Sequence, residues 1–457
     1  MITIDSKREL FIDTHLIDSI ENAELFLHEP QISELDESPL EGGYVTVIKD
    51  GDSWKRFYRV SHGTESYDGN PGELTCMDIS DDGIHWRKED LGVFGEIDGR
   101  RNIVWTGDPP RSHNFSPFID TRLGVSKHQR WKALSGTHKM DGGRPSHVPP
   151  LMDKDSGLYA FSSPDGVHWS KMTDNPVITW HEYAFDSQNV SFWSDEEQCY
   201  VCFFRCWEPD PNVDPAVITA SAVVSSKTHL RSIARTTSTD FIHWTEPVRM
   251  HPNIGSENLY TSQAHPYYRA PHIYVSLATR FIPSRGNSTD IMFMTTRSGS
   301  TKFDRTFKHA FFKPGPDPNA WLNRSNYASL NIHQYSDYVM SWYVRGRRVS
   351  LRIDGFASVR AKETEGHLVT KTFTFTGKRL LMNYATSAAG SVKVILNEVE
   401  AKVKNNHKIV STEVVGDFID GEILFADSQA LERLSGKAVI MEIYLKDANV
   451  YSFKFMN

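Results

Sequence analysis

The sequence has few cysteines, no cluster of positive charge and no long apolar run. Four cysteines in 457 residues are too few for a disulfide framework in a chain of this size. The chain carries 50 basic and 58 acidic residues, a net charge of −8, without a basic run, so we expect no nucleic-acid partner. No stretch has the length and hydropathy of a membrane span, so we expect no membrane partner either.

The amino-terminal residues lack the apolar core of a signal peptide, since residues 1–8 read Met-Ile-Thr-Ile-Asp-Ser-Lys-Arg. The sequence as it stands therefore predicts a cytoplasmic protein. A periplasmic or secreted protein would look the same once its signal had been removed.

Three of the four cysteines lie close together, at Cys199, Cys202 and Cys206, in the run Cys-Tyr-Val-Cys-Phe-Phe-Arg-Cys. The run is typical of a strand, and no second pair of ligands accompanies it. Buried strand cysteines explain this spacing better than a metal site does. We therefore predict no metal-ligating residues.

What the chain does have is a repeated turn motif. Residues 80–86, 163–169 and 238–244 all follow the pattern Ser-x-Asp-x-x-His-Trp. Two weaker copies, at residues 297–303 and 352–356, also place an aromatic residue after a polar turn that contains glycine. Ser and Asp side chains in such a motif hydrogen-bond the local backbone and turn the chain, and the apolar residues that follow begin a strand.

Five copies of one hairpin predict five similar sheets. A small sheet that cannot bury its own faces must stack on its neighbours, and radial stacking gives a propeller. The fold class is therefore predicted as all-β, a five-bladed β-propeller followed by a C-terminal β-sandwich. The alternative is a set of unrelated hairpins in an ordinary sandwich, but the shared His-Trp pair favours the propeller.

We predict three parts of the chain. Residues 1–40 form a lead-in that packs on the propeller, residues 41–360 form the five blades, and residues 361–457 form an accessory sandwich whose strand-like runs lack the repeat. Two proline-rich segments, 141–150 and 208–215, are typical of loops that build a rim over a site.

The first strands of propeller blades converge on the axis, so residues at their starts should face one another. The predicted strand starts are rich in carboxylates and amides. They are Glu41, His113, Asn114, Asp186, Gln188, Asn189, Glu257, Tyr260, Arg324 and Asn326. Polar groups beside aromatic rings in a deep cavity suit a sugar. Cleaving a glycosidic bond needs two carboxyls, one protonated and one ionised, and the candidates are Asp186, Glu257 and Glu41.

Several candidates have a structural alternative. Asp186 could cap a turn, Glu257 could be a solvated loop carboxylate, and Glu41 ends an acidic tract. His113 could be a hydrogen-bonded structural histidine. Arginines such as Arg269 and Arg324 could hold an anionic substituent or an interblade ion pair. The repeated His85, His168 and His243 belong to the hairpins and are predicted to be structural.

Several motifs together carry a resemblance to a known group of enzymes. They are the Asp-Gly-x-His-Trp hairpins, the run Phe185-Asp-Ser-Gln-Asn189, the run Arg269-Ala-Pro-His272-Ile-Tyr274 and the closing Arg352-Ile-Asp-Gly-Phe356. The chain resembles bacterial proteins related to the five-bladed propeller glycoside hydrolases of families 32, 43 and 117. The resemblance implies acidic residues on successive first strands, a position that Asp186 matches. The Trp-Met-Asn-Asp-Pro-Asn and Arg-Asp-Pro motifs of family 32 are missing, which argues against fructan chemistry.

The leading functional hypothesis is an exo-acting glycoside hydrolase for a plant or algal oligosaccharide, with His272 and Arg269 among the sugar-binding residues. A sialidase-like enzyme would need three of Arg205, Arg235, Arg269 and Arg324 on one carboxylate, and a phosphorylase would place phosphate where water attacks. From another class, the protein could be a non-catalytic glycan-binding propeller. No cofactor is required, although a structural or central metal ion such as calcium could be bound.

Overall fold

The computed structural model describes residues 1–33, 39–65, 67–138, 140–141, 144–145, 155–180, 184–220, 224, 226–399, 408–427 and 429–457. The chain divides into two compact units. One comprises residues 32–333 and 341–349, and the other comprises residues 1–31, 334–340 and 350–457. Nearly all regular structure is β, and no helix among the described residues is long and apolar enough to cross a membrane.

The chain forms a five-bladed propeller, as predicted, and blades 1 to 4 lie wholly within the first unit. Each blade is one antiparallel sheet, and its strands are given from the innermost outward. Blade 1 contains Gly43–Asp50, Ser53–Ser61, Glu73–Ser80 and Ile103–Thr106. Blade 2 contains Ser116–Ile119, Trp131–Ser135, Tyr159–Ser163 and Ser170–Lys171. Blade 3 contains Val190–Ser194, Cys199–Pro209, His229–Ser238 and Val248–Arg249. In blade 4, Asn258–Leu259 and His265–Tyr267 both pair with Ala270–Ile282, which pairs with Ser288–Arg297; blade 5 contains His333–Gln334, Val339–Val344, Arg347–Arg352 and Gln31–Ile32.

Blade 5 is completed by a strand from the other end of the sequence, because Gln31–Ile32 supplies its outermost strand. Ser33 donates from its backbone N–H to the carbonyl of Arg348 at 2.9 Å. Blades 1 and 5 are further tied by Val47, whose backbone N–H donates to the carbonyl of Leu330 at 3.2 Å. Pairing of distant segments in this way closes the ring of blades.

Neighbouring blades pack through apolar side chains that alternate along their strands. In Cys199–Pro209, Cys202 and Phe204 belong to the apolar cluster shared with blade 2, while Val201 and Phe203 belong to the cluster shared with blade 4. This alternation is the two-residue period of a strand that is buried on both faces. It confirms the interpretation of the cysteines as strand residues, since Cys202 and Cys206 are completely buried.

The turn motif follows the third strand of each blade, at residues 80, 163, 238, 297 and 352. In the second copy, Ser163 Oγ accepts from the backbone N–H of Gly166 at 2.9 Å, and Asp165 Oδ1 accepts from the N–H groups of Val167 and His168 at 2.8 and 2.9 Å. His168 Nδ1 lies 2.8 Å from the second oxygen of Asp165. The same hydrogen bonds recur at residues 80–86 and 238–244, so these histidines are structural, as predicted.

Replacing Gly166 with alanine is expected to destabilise the propeller by about 2 kcal/mol. Gly166 has a φ of +80°, and an added Cβ would lie 3.1 Å from the ring of the buried Trp131. Gly51→Ala is the matched control, because Gly51 has a φ of +63° but an added Cβ there meets nothing within 4 Å. The control should cost about 1 kcal/mol. Chemical denaturation compares the two, and equal losses would show that the Trp131 contact is irrelevant.

The second unit is the predicted β-sandwich, built around a single apolar core. Its strands are Ile2–Asp5, Glu9–Leu10, Ile17–Glu21, Glu24–Leu27, Ala357–Ala361, Gly366–Thr370, Phe373–Phe375, Arg379–Glu398, Lys408–Val410, Asp417–Ile423 and Ala438–Met456. Within this unit, the buried Arg8 donates to Ser452 Oγ at 2.8 Å, which ties the two termini of the chain together.

The predicted domain boundaries are corrected at both ends of the propeller. Residues 1–31 belong to the sandwich unit, where four of their strands join its sheet, and do not form a separate lead-in. The sandwich unit also begins earlier than residue 361, because Ala357–Ala361 pairs with Ala438–Met456. The reason is that backbone pairing, which leaves no mark in local composition, decides which unit a strand joins.

Helices are short and few in the described part of the chain. They are Lys127–Gln129, Pro215–Ala220, Pro283–Arg285, Pro318–Trp321 and Ala430–Leu434. A small hairpin pairs Met140–Asp141 with Arg144–Pro145, and the rest of the predicted rim loop at 141–150 lies outside the described residues. The second rim segment, 208–215, leads from a strand of blade 3 into the helix Pro215–Ala220.

Candidate active site

A tight turn before the inner strand of blade 3 presents Asp186. The backbone N–H of Asp186 donates to the Ala184 carbonyl at 3.0 Å, and that of Ser187 donates to the Phe185 carbonyl at 2.7 Å. Phe185 is completely buried and has a φ of +68°. A bulky residue in this conformation is strained, and such strain often marks a functional site. The Asn189 amide group stabilises the turn by donating to the Phe185 carbonyl at 2.9 Å.

Asp186 is ionised because it forms a buried ion pair. Arg205 Nη2 donates to Asp186 Oδ2 at 2.6 Å from the second strand of the same blade, and the Arg205 side chain is 1% exposed. Burial opposes ionisation of Asp186, but the Arg205 guanidinium outweighs it and lowers the pKa to about 2.

A second carboxyl, Asp68, lies against Asp186 and was not predicted from the sequence. Single oxygen or nitrogen atoms of Asp68, His113 and Asp186 lie within 4.8 Å of one another. Burial, followed by the neighbouring charge of Asp186, raises the pKa of Asp68 to about 6, and Asp68 in its protonated form donates a hydrogen bond to Asp186. His113 and Arg59 face the same carboxyl and favour its ionised form. The two carboxyls therefore differ in protonation state between about pH 2 and about pH 6, where Asp68 is protonated and Asp186 is ionised.

The position of Asp68 depends on its loop. The residues after it read Gly69-Asn70-Pro71-Gly72 and lead to Glu73, the first residue of a buried strand. The Gly69 N–H donates to Glu73 Oε1 at 3.1 Å, and a Cβ at Gly69 would lie 2.9 Å from Thr137. A search confined to strand starts misses this loop. The signal that could have found it is an Asp-Gly turn directly before an acidic residue on a strand.

His113 and Asn114 are held in a buried network beside the two carboxyls. His113 Nδ1 lies 2.9 Å from Glu73 Oε2, and Asn114 Nδ2 lies 2.8 Å from His113 Nε2. Arg59 Nη1 donates to Asn114 Oδ1 at 2.7 Å. Burial opposes ionisation of Glu73, but His113 and Arg59 lower its pKa below the usual range. Glu73 is thus a fixed acceptor that orients the His113 ring.

Tyrosines from different blades line a cavity of about 390 Å³. Tyr44 and Tyr327 line it, with ring centroids 5.6 Å apart, and Tyr260 packs edge-on against Tyr327 at 5.6 Å. Arg59, Asp68 and Arg324 also line the cavity. Tyr44 and Tyr327 keep some contact with solvent, yet the surrounding protein raises their pKa values well above the usual range, so both hydroxyls stay neutral.

Buried amides that follow the residues of the site in the sequence are linked by hydrogen bonds between blades. Gln188 Nε2 donates to Thr46 Oγ1 at 2.8 Å, and Gln263 Nε2 donates to Gln188 Oε1 at 2.8 Å and to the Ala328 carbonyl at 2.7 Å. These residues lie one to three positions beyond Tyr44, Asp186, Tyr260 and Tyr327 in the sequence. Together, the bonds of Gln188 and Gln263 join four blades.

The structure does not bring Glu41 or Glu257 into this cluster, contrary to expectation. Glu41 forms ion pairs with Lys88 and Arg100 and is about one third exposed. Glu257 accepts from Arg305 Nη1 at 2.8 Å and lies 3.7 Å from Arg280. Each carboxylate is held by two cations, so the catalytic assignment of both is corrected.

Three other predicted sugar-binding residues are also placed away from the cluster. Arg269 and His272 lie at or beside the turn between His265–Tyr267 and Ala270–Ile282, the opposite end of these strands from Tyr260, which pairs with Thr279. Asn326 is completely buried, and its Nδ2 donates to the carbonyls of Thr289 and Ala320, both at 2.7 Å. Asn326 therefore fixes the start of blade 5 rather than facing the cavity.

A sialidase-like site needs three of four named arginines to converge, and the structure places two of them, Arg205 and Arg324, beside Tyr260. Arg235 pairs with Glu197, and Arg269 lies at the far turn, so these two do not join Arg205 and Arg324. Arg231, which the sequence did not single out, lies instead beside Arg205.

Calcium does not fit the donors at the cluster. Calcium prefers six to eight oxygen ligands, whereas the cluster offers one imidazole and two carboxyls. Both ring nitrogens of His113 are already engaged by Glu73 and Asn114, and Arg205 occupies an oxygen of Asp186. A transition metal would accept an imidazole ligand only after His113 lost one of these partners.

No protein family and no curated protein matches the sequence. Similar solved structures include a glycoside hydrolase family 43 arabinoxylan arabinofuranohydrolase from Bacillus subtilis in complex with cellotetraose, at 12% identity over 91% of this chain and 96% of that chain, with a TM-score of 0.42. Another is an N-acetylgalactosamine deacetylase from F. plautii in complex with blood group B trisaccharide, at 12% identity over 94% and 95% of the two chains, with a TM-score of 0.42.

A third similar structure is a Bombyx mori family 32 β-fructofuranosidase, at 10% identity over 94% of each chain, with a TM-score of 0.39. Similarity this distant assigns no function to the chain, and the chemistry is argued from the residues of the site.

Proposed function

We propose that the protein is an exo-acting glycoside hydrolase whose catalytic pair is Asp68 and Asp186. The observation that carries the proposal is the pair itself, two adjacent carboxyls whose surroundings shift one pKa up to about 6 and the other down to about 2. Environments that separate the pKa values of neighbouring carboxyls assign the acid and the base. Asp68 is the general acid, and Asp186 is the ionised partner.

The short separation of the two carboxyls supports a double displacement. Retaining glycosidases place their carboxyls about 5–5.5 Å apart, and inverting enzymes place them about 6.5–9.5 Å apart. The oxygens of Asp68 and Asp186 lie within 4.8 Å, so the shorter class is the better match. In this mechanism Asp186 attacks the anomeric carbon while the Asp68 proton passes to the leaving oxygen. Asp68 then deprotonates a water that releases the sugar from Asp186.

We infer cleavage at a chain end from the hydrogen bonds of Gln188 and Gln263, which cross between blades close to Asp186 in the sequence. Such bonds would block the passage of a chain through the propeller, so that an oligosaccharide would enter from one side. The exposed hydroxyls of a terminal ring would meet Tyr44, Tyr327 and Arg59, and the ring faces would pack on the tyrosines.

The test is a screen of plant and algal oligosaccharides with two readouts, reducing sugar and the identity of the released product. We expect a single terminal monosaccharide, with equal rates in the presence and absence of phosphate or of a chelator. Dependence on phosphate would indicate a phosphorylase, and loss of activity with chelator would contradict the metal-free pair. Binding of oligosaccharides without any turnover in the screen would indicate a non-catalytic glycan-binding propeller.

The rate should fall as pH rises through about 6. Asp68 must be protonated to act as the acid, and its raised pKa of about 6 places loss of the active form there. At the acid end the rate should fall near pH 2, where Asp186 becomes protonated, or at the higher pH at which the protein unfolds. The check is kcat/KM from pH 4 to 9 on the best substrate. A rate that rises steadily to pH 9 would reverse the assignment of Asp68.

A further inference from the structure

Tyr260 is surrounded by three arginines in a protein whose overall charge is −8. The guanidinium carbons of Arg205, Arg231 and Arg324 lie 5.6, 5.1 and 5.9 Å from the centre of the Tyr260 ring. Arg59, the fourth arginine of the site, lies 4.5 Å from the Tyr44 ring. Of the cluster carboxyls, Asp186 is paired with Arg205, and the pKa of Asp68, raised to about 6, leaves that carboxyl uncharged below this pH.

Two of the three arginines have no carboxylate partner among the described residues. Arg205 is paired with Asp186. Arg231 contacts only aromatic rings through its guanidinium, with Trp207 at 4.8 Å, Phe281 at 5.0 Å and Tyr260 at 5.1 Å, and its Nε is buried without a hydrogen bond. Burial, together with the neighbouring Arg205, lowers the pKa of Arg231, which shows the cost of holding this cation unpaired.

Arg324 is the more accessible of the two. Its Nη1 donates to the Tyr260 hydroxyl at 3.1 Å and its Nε donates to Asn323 Oδ1 at 3.2 Å, so its partners are neutral. Arg324 has a φ of +54°, and its backbone N–H donates to the Asn287 carbonyl at 2.9 Å, which fixes it at the edge of the cavity. A cation held in this way on neutral groups can accept an anion without first breaking an ion pair.

Arg324 lines the cavity, and Arg231 lies behind it on the same Tyr260 ring. We propose that these two arginines bind an anionic substituent, a carboxylate or a sulfate, on a sugar whose ring occupies the cavity. The proposal rests on the proposed function in taking a sugar as the ligand, and it names the substrate class as acidic sugars. A carboxylate or sulfate would supply the acceptor oxygens that the two guanidinium groups lack, and Tyr260 would hold both arginines in place.

The experiment measures binding by calorimetry, so that it does not depend on turnover. The probes are galacturonate and glucuronate with their neutral methyl esters, and galactose 6-sulfate with galactose. We expect at least one acid to bind about tenfold or more tightly than its neutral partner, with the difference shrinking as salt rises. Preference for a uronate identifies the carboxylate, and preference for galactose 6-sulfate identifies the sulfate.

Arg231→Gln and Arg324→Gln should each lower the ratio of the affinity for the acid to the affinity for the neutral probe by about tenfold or more. Affinity for the neutral probe also shows that the cavity of each variant is folded. Arg122→Gln is the matched control, since Arg122 also stacks on aromatic rings, Trp193 at 5.8 Å and Tyr200 at 5.4 Å, and its loss changes the net charge equally.

Equal affinity for every acid and its neutral partner would overturn the proposal, as would an equal effect of Arg122→Gln. The outcome is separable from the proposed function. Selective binding of an acid without hydrolysis of any glycoside would support the anion site and reject the hydrolase. Hydrolysis of neutral glycosides with no preference for acids would support the hydrolase and reject the anion site.

Discussion

Asp186→Asn is expected to lower kcat by about 10⁴-fold or more, the largest effect of any single substitution in the protein. The amide cannot attack the anomeric carbon, and it also removes the charge that Arg205 Nη2 contacts at 2.6 Å. Asp68→Asn should cost about 10²–10⁴-fold, because the amide has no proton to give to the leaving oxygen. A substrate whose leaving group needs no proton should restore much of the rate to Asp68→Asn and none to Asp186→Asn.

Glu197→Gln is the matched control for these variants. Glu197 belongs to the same blade as Asp186 and is likewise paired with an arginine, Arg235, but it lies at the hairpin end of the strands. Its loss should lower stability and leave kcat of the folded protein unchanged. If Asp186→Asn kept the activity of the Glu197 control, the proposed catalytic pair would be abandoned.

Lys132→Met is expected to lower the free energy of unfolding of the propeller by about 3–5 kcal/mol. Lys132 Nζ donates to Asp120 Oδ2 at 2.5 Å, and the two side chains are 1% and 0% exposed. Burial lowers the pKa of Lys132, although the neighbouring Asp120 acts to raise it. Removing the lysine leaves a buried carboxylate whose remaining side-chain donor is the Tyr200 hydroxyl at 2.6 Å.

The double variant Lys132→Met with Asp120→Asn should regain much of this loss, because the uncompensated charge is then gone. Lys88→Met is the control, since the Lys88 side chain is 54% exposed and its pairing with Glu41 should be worth no more than about 1 kcal/mol. Denaturant unfolding measures all four proteins. If the double variant were no more stable than Lys132→Met, lost packing rather than buried charge would explain the effect.

The repeated turn motif was a reliable guide to the fold. Every copy follows the third strand of a blade, and in the three full copies Ser and Asp side chains satisfy the turn locally. The run around Cys202 was likewise predicted to be a strand with buried cysteines, and the structure shows a strand buried on both faces. These features depend on residues a few positions apart, which is why sequence reasoning reached them.

The candidate site was only partly predictable. Asp186, His113, Asn114 and Tyr260 were found at strand starts, and the structure brings them together, although their roles in catalysis and binding stay predictions. Glu41 and Glu257 lie at comparable strand starts, but their carboxylates pair with Lys88 and Arg305. Whether a carboxylate at a strand start faces the axis depends on the nearest arginine, and that arginine is supplied by a distant part of the chain.

The sequence by itself determined the turns, the alternating strands and therefore the number of blades, since each is decided by side chains that contact their own neighbours along the chain. Only the tertiary structure decided the site. Asp68 comes from a loop, Arg205 and Arg231 come from second and third strands, and Tyr44 and Tyr327 come from blades at opposite ends of the chain. Their pKa shifts and their unpaired charge exist only after the ring of blades closes, because burial and the charges of distant residues produce both.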